Sequence, residues 1–135
     1  MAMTQENMPT TSPQHVFSFA IADLAVSQTA TDIPIPGGVI PTYLMPAAGY
    51  IVGYSINKSA AHSAGSLDFD LEINGTSTLT IAADTSSVRK ILEAGDEPFS
   101  AGDTLGVTYT SDGSLSAITV DVVVDVYVVF TGFNF

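Results

Sequence analysis

The chain has 135 residues with 46% hydrophobic content, no cysteine, and fourteen Asp and Glu against three Lys and Arg, for a formal net charge of −11. Disulfide staples and thiolate metal sites are excluded, and so few cations argue against direct nucleic-acid binding, which needs clustered Lys and Arg to neutralise phosphates. The length suits one domain that buries roughly two-thirds of its unfolded surface. No window approaches the roughly 18 unbroken apolar residues of a membrane helix, so no membrane partner is expected.

Residues 1–14 are polar, contain Pro9 and Pro13 and show no periodicity, which predicts a flexible N-terminal arm ahead of a single domain over residues 15–135. The opening residues have neither a basic region nor an apolar one, so no secretory signal is predicted. Residues 15–22 read as a first strand with Phe17, Phe19 and Ile21 on one face.

Residues 33–46 hold Pro34, Pro36, Pro41, Pro46 and the Gly37-Gly38 pair, which removes ladder donors and predicts a loop-rich connection between two layers. The strand that follows is expected to place Tyr50, Val52, Tyr54 and Ile56 on one face. Gly53 inside it marks a bulge or a close backbone approach. After a small-residue loop, Leu67, Phe69, Leu71 and Ile73 alternate with Asp68, Asp70 and Glu72 up to Asn74-Gly75. This is a strong hairpin signal, because both central residues of a type I′ turn need positive φ.

Residues 88–92 form a short predicted strand with Arg89 and Lys90. Turns are expected at residues 93–96 and 100–103, with a strand between residues 104 and 110 that turns inward Leu105, Val107 and Tyr109. Residues 117–130 are the longest regular run. Ile118, Val120, Val122, Val124, Val126, Val128 and Phe130 share one side, and Asp121 and Asp125 stand on the other. A buried helix would not tolerate Asp at that spacing, so this is a strand, and the others find their register against it. About eight strands with no helical stripe predict an all-β fold, an antiparallel β-sandwich, with the Pro-rich connection favouring jelly-roll-like wiring.

Chemistry-bearing constellations are sparse. His15 and His62 are the two histidines, and no phosphate loop or His-Glu zinc motif is present, so no enzyme activity, catalytic residue, metal or cofactor is predicted. The row Asp68, Asp70 and Glu72 is a flat line of carboxylates and a poor calcium cage, although Asp121 and Asp125 would join it if those strands paired. It reads first as a solvated face that discourages aggregation. The two Asn-X-Ser/Thr sequences, at Asn57 and Asn74, are discounted as glycosylation sites for want of a secretion signal. Arg89 and Lys90 read as ordinary surface charge or as partners for an acid on a neighbouring subunit, and Phe133 and Phe135 as core insertions or a subunit contact. With Asp121 and Asp125 they are the candidate interaction residues.

Residues 43–130 resemble a β-sandwich domain of tailed-bacteriophage structural proteins. The resemblance lies in the Pro46-Ala47-Ala48-Gly49-Tyr50-Ile51-Val52-Gly53-Tyr54 run, the hairpin ending at Asn74-Gly75, the Ser100-Ala101-Gly102-Asp103 turn with its following strand, and the Val-rich last strand. With its arm, the chain looks most like a capsid decoration, or cement, protein. That resemblance implies a jelly-roll protomer, a homotrimer, bound to the major capsid protein on the outer capsid surface of the virion and clamping adjacent subunits. It transfers no catalytic residue. The alternative is a receptor- or carbohydrate-binding sandwich at a fibre tip, in which Tyr43, Tyr50, Tyr54, Tyr109 and Tyr127 stack on sugars.

Overall fold

The structure is a computed structural model that describes residues 14–62, 64–83, 87–93, 95–116 and 120–132. Its strands are β1 (Gln14–Ile21), β2 (Thr31–Ile33), β3 (Thr42–Leu44), β4 (Gly49–Lys58), β5 (Leu67–Ile73), β6 (Thr76–Ala82), β7 (Ser87–Ile91), β8 (Pro98–Phe99), β9 (Thr104–Ser111) and β10 (Val122–Phe130). No helix occurs among the described residues. One sheet, called the V sheet here for its valines, has the order β1-β10-β4-β7 with β8 also on β4. The other, the D sheet, has the order β2-β9-β5-β6 with β3 also on β9.

Every pairing is antiparallel. Because β2 and β3 lie on the same strand, β9, they act as one edge strand interrupted by residues 34–41; β7 and β8 are likewise one interrupted edge strand on β4. Counted so, eight strands form two four-stranded sheets, and the chain changes sheet at every connection except the β5–β6 hairpin. This is the predicted antiparallel β-sandwich with jelly-roll wiring.

The hairpin turns as its sequence requires, with φ of 55° at Asn74 and 76° at Gly75. Asn74 also ties this turn to its neighbour: its side-chain amide donates to Asp103 Oδ1 at 2.9 Å, and its Oδ1 accepts from the Thr104 backbone N–H at 2.9 Å.

The core fills the space between the sheets, as alternating strands demand. From the V sheet come Phe19, Ile51, Tyr54, Ile56, Val122, Val124, Val126, Val128 and Phe130; from the D sheet come Ile33, Leu67, Phe69, Leu71, Ile81, Leu105, Val107 and Tyr109, all buried. The inward side of the last strand is thus as predicted wherever it is described. The strand itself begins at Val122, later than expected, although Val120 is still buried; residues 117–119 lie outside the described residues. Gln14, the last residue of the expected arm, belongs to β1, and residues 1–13 lie outside the described residues.

The face expected for β4 is corrected by a bulge. Gly53 pairs with Tyr127 and Ile51 with Val128, so Val52 is the extra residue and the inward parity changes there. Ile51 points in on one side of the bulge and Tyr54 and Ile56 point in on the other, whereas Tyr50 and Val52 do not join them. Gly53 supplied the signal, and a Cβ there would lie 2.7 Å from the Lys90 carbonyl oxygen.

The two ends of the sandwich close differently. At the Phe130 end, aromatic rings pack edge to face and tilted: Phe130 lies 4.9 Å from His15, 5.9 Å from Phe99 and 6.3 Å from Phe17, and Tyr43 lies 4.8 Å from Phe17 and 5.3 Å from Phe19. At the Val122 end, Lys58 is opposite Val122 and so points inward. It is only 4% exposed, and its ammonium donates to the Ala83 carbonyl at 2.6 Å and lies 3.1 Å from His62 Nδ1.

Candidate interaction surface

Antiparallel sheets with one solvated side are expected to alternate apolar and polar residues. The D sheet obeys. Its outer side carries Asp32, Thr108, Asp70 and Thr80 in one cross-strand row, with Asp68, Thr110 and Glu72 beside it. Glu72 is held above the ordinary carboxylate range, first by partial burial and then by the charges of Asp70 and Asp32, against a hydrogen bond from Thr108 that acts downward. Asp70 Oδ1 accepts from Thr80 Oγ1 at 2.5 Å and from Ser77 Oγ at 3.2 Å. These acids form no grouping of three or more that could hold a metal ion, among the described residues.

The V sheet departs from that rule. Its outer side places Val16, Tyr127, Gly53 and Ile91 in one row, Gln14, Val129, Tyr50 and Pro98 in a second, and Ala20, Val123, Asn57 and Ser87 in a third. Val16 is 53% exposed and Ile91 79%. Exposed apolar residues on the outer side of a sheet, here Val16, Val123 and Ile91, are surface that water does not favour, and patches of them mark sites of association.

Between these rows runs a polar one: Ser18, Asp125, Ser55 and Arg89. Asp125 accepts from Ser18 Oγ at 2.5 Å, and Ser55 Oγ lies 3.3 Å from the Tyr127 hydroxyl. The structure therefore brings Asp125 and Arg89 into one row of the same surface, separated by Ser55. Lys90 is opposite the inward Tyr54 but stands exposed at the sheet edge. Neither the Arg89 nor the Lys90 side chain forms an ion pair or hydrogen bond among the described residues. Charged residues on a short edge strand also discourage pairing with a foreign strand.

Asp121 is elsewhere and has a different task. Its Oδ1 accepts the Asp23 backbone N–H at 3.1 Å, its N–H donates to Ser59 Oγ at 2.9 Å, and its carbonyl accepts the Ser59 N–H at 2.9 Å. It fastens two loops at the Val122 end. Neither it nor Asp125 joins the row of Asp68, Asp70 and Glu72, since β5 and β10 belong to different sheets. Phe133 and Phe135 lie outside the described residues.

Of the five tyrosines considered for sugar stacking, Tyr54 and Tyr109 are buried in the core. Tyr43 packs on Phe17 and Phe19 and donates its hydroxyl to the Ser18 carbonyl at 3.0 Å. Tyr50 and Tyr127 remain on the outer V surface.

Two features escaped the sequence reading. Around Gly53, between Tyr127 and Ile91, lies a notch, a cavity of about 250 Å³ also lined by Gln14, Arg89 and Lys90. Elsewhere, the loop between β2 and β3 holds Val39 at 87% exposure and Ile40 at 58%. The available signal was Val39-Ile40 set between Gly37-Gly38 and Pro41, an apolar pair where loops are normally polar.

No family model matches the sequence, and no curated protein sequence matches it either. Solved structures do. The chain is similar to a chain of the acid-stable capsid structure of Helicobacter pylori bacteriophage KHP30, with TM-score 0.53 and 11% identity over 93% of this chain and 96% of that one. It is similar also to a chain of the capsid asymmetric unit of cyanophage Pam1, with TM-score 0.55 and 11% identity over 97% of this chain and 94% of that one. At such identity the likeness is one of fold, and it runs nearly the whole length of both chains.

Proposed function

We propose that this chain is a structural protein of a tailed-bacteriophage virion, a capsid decoration or cement protein. It acts as a homotrimer on the outer capsid surface and stabilises the shell by clamping adjacent copies of the major capsid protein. The observation that carries the reading is the near full-length likeness to chains in two phage capsid structures. The outer V surface supports it, because a jelly roll with one side apolar and one side acidic is built for association. In this reading the chain performs no catalysis and needs no cofactor. Its effect on the shell is mass action, each added grip contributing to avidity.

The test is co-sedimentation of the purified chain with heads of its own phage stripped of this protein, followed by thermal challenge of the shells. Decorated heads are expected to release DNA at a higher temperature than bare ones. Removal of residues 1–14 is expected to weaken both binding and protection. A chain that stays in the supernatant at every concentration overturns the proposal.

A further inference from the structure

We propose that the notch at Gly53 of one copy receives Val39 and Ile40, from the exposed apolar loop of a second copy of this chain. Three observations bear on the occupant. The first is shape. The loop is closed on itself by backbone hydrogen bonds, Ile35 N–H to the Ile40 carbonyl at 2.8 Å and Gly38 N–H to the Ile35 carbonyl at 3.1 Å. Val39 and Ile40 are therefore presented as a preorganised knob, which lowers the entropy lost on docking. The notch, at about 250 Å³ and floored by a residue with no side chain, offers apolar walls in Tyr127 and Ile91.

The second is charge. Of three Lys and Arg in the chain, Lys58 is buried, so Arg89 and Lys90 are the exposed pair, and both line the notch. In a chain of net charge −11, this is where an acidic neighbour is least repelled. The strand that leads into the loop carries the exposed Asp32, on the outer side of the D sheet.

The third is position. The loop adjoins β1, through the Ala20 N–H donated to the Pro34 carbonyl at 2.9 Å, whereas the notch lies on the outer side of the V sheet, from Gln14 of β1 across Gly53 to Arg89, Lys90 and Ile91 of β7. Knob and notch are different surfaces and give a head-to-tail contact, in which each copy lends its knob to one neighbour and takes the knob of another. Such a contact closes into a ring where the rotation allows.

This deepens the homotrimer part of the function proposed above. It is tested on the isolated chain without any phage head, so its failure and a failure to bind heads are separate results. Sedimentation velocity is run at about 100 μM, enough to populate a contact of micromolar Kd. Wild type is expected as a multiple of 14.0 kDa. Val39→Asp and Ile91→Asp, both at exposed positions, are expected to keep the wild-type circular dichroism and melting temperature and to run at 14.0 kDa. Mixed in equal amounts, these two variants retain one intact knob and one intact notch, so they are expected to form a 1:1 pair that grows no further. A monomeric wild type, a variant that still assembles, or a mixture that stays monomeric overturns the proposal.

Discussion

Asp112 shows how much of this fold hangs on single polar residues in turns. Its Oδ2 accepts the backbone N–H and hydroxyl of Ser66, each at 3.1 Å, and its Oδ1 accepts those of Ser114 at 3.0 and 3.1 Å. Partial desolvation acts upward on its carboxyl, but these donors together hold it below the ordinary range. Asp103 is lowered too, by the Ser100 backbone N–H and then by Asn74. Beside the Asp112 latch, Gly65 takes φ of +84° with a would-be Cβ only 2.4 Å from Leu115 Cα. Gly65→Ala is therefore expected to cost about 1–2 kcal/mol from left-handed strain alone, and more from the overlap, read as a lower urea midpoint. The carboxyls also give opposite pH dependences. Asp103 and Asp112 contribute stability that is present above their ordinary value of 3.8 and lost as pH falls through their lowered folded values. Glu72, raised from 4.5, carries a penalty at neutral pH that is relieved as pH falls from its raised value through 4.5. The melting temperature is thus expected to rise on acidification toward about 4.5 and to fall below about 3.8. Glu72→Gln should stabilise the chain at pH 7 and flatten the rise.

At the scale of elements, β10 decides the fold because it lies between β1 and β4 and presents an unbroken apolar side to the core. Val126→Ala is expected to lose about 1.5–3 kcal/mol of stability, whereas Val123→Ala, on the outer side, should stay within about 0.5 kcal/mol. Equal losses in denaturant titrations would mean that the alternation had been misread. That alternation, the Asn74-Gly75 hairpin and the inward residues of β5 and β9 were all legible, since each rests on a period of two or on a turn that only certain residues make. The parity of β4 was not, because a bulge moves one residue without altering composition; Gly53 said that something happens there but not which side gains the extra residue. The candidate interaction surface was half legible. Arg89 and Asp125 could be named, yet their common row depends on β7 and β10 flanking β4, a fact of sheet order that no local pattern encodes. The bonds of Asp121 were hidden for a similar reason: a carboxylate on the outward parity of a strand looks free until loops from elsewhere, here Asp23 and Ser59, come to meet it.

For the molecule as a whole, charge and surface are divided between the sheets. The acids of the D sheet lie close together while the exposed cations sit on the edge of the V sheet, so self-repulsion inside the D surface is uncompensated. Added salt should raise the melting temperature, most steeply below about 0.1 M, where the Debye length of about 10 Å still spans neighbouring strands. A flat response in calorimetry would mean that these carboxylates are already neutralised. The same division gives the molecule a direction, with one side dominated by carboxylates and the other carrying the exposed cations and exposed valine and isoleucine.

The adjacency of β1 and β10 also has a mechanical meaning. Gln14 is opposite Val129, so the first and last strands lie side by side with their outer ends together. Tension applied between residues 14 and 130 would act along the inter-strand hydrogen bonds, which in an antiparallel pair run perpendicular to the strands. The pair would open like a zipper, one rung at a time, at low force. Tension entering through the two interrupted edge strands would instead have to be transmitted across whole sheets. A protein with this wiring holds best when it is gripped by its flanks, and yields first when it is pulled at residues 14 and 130.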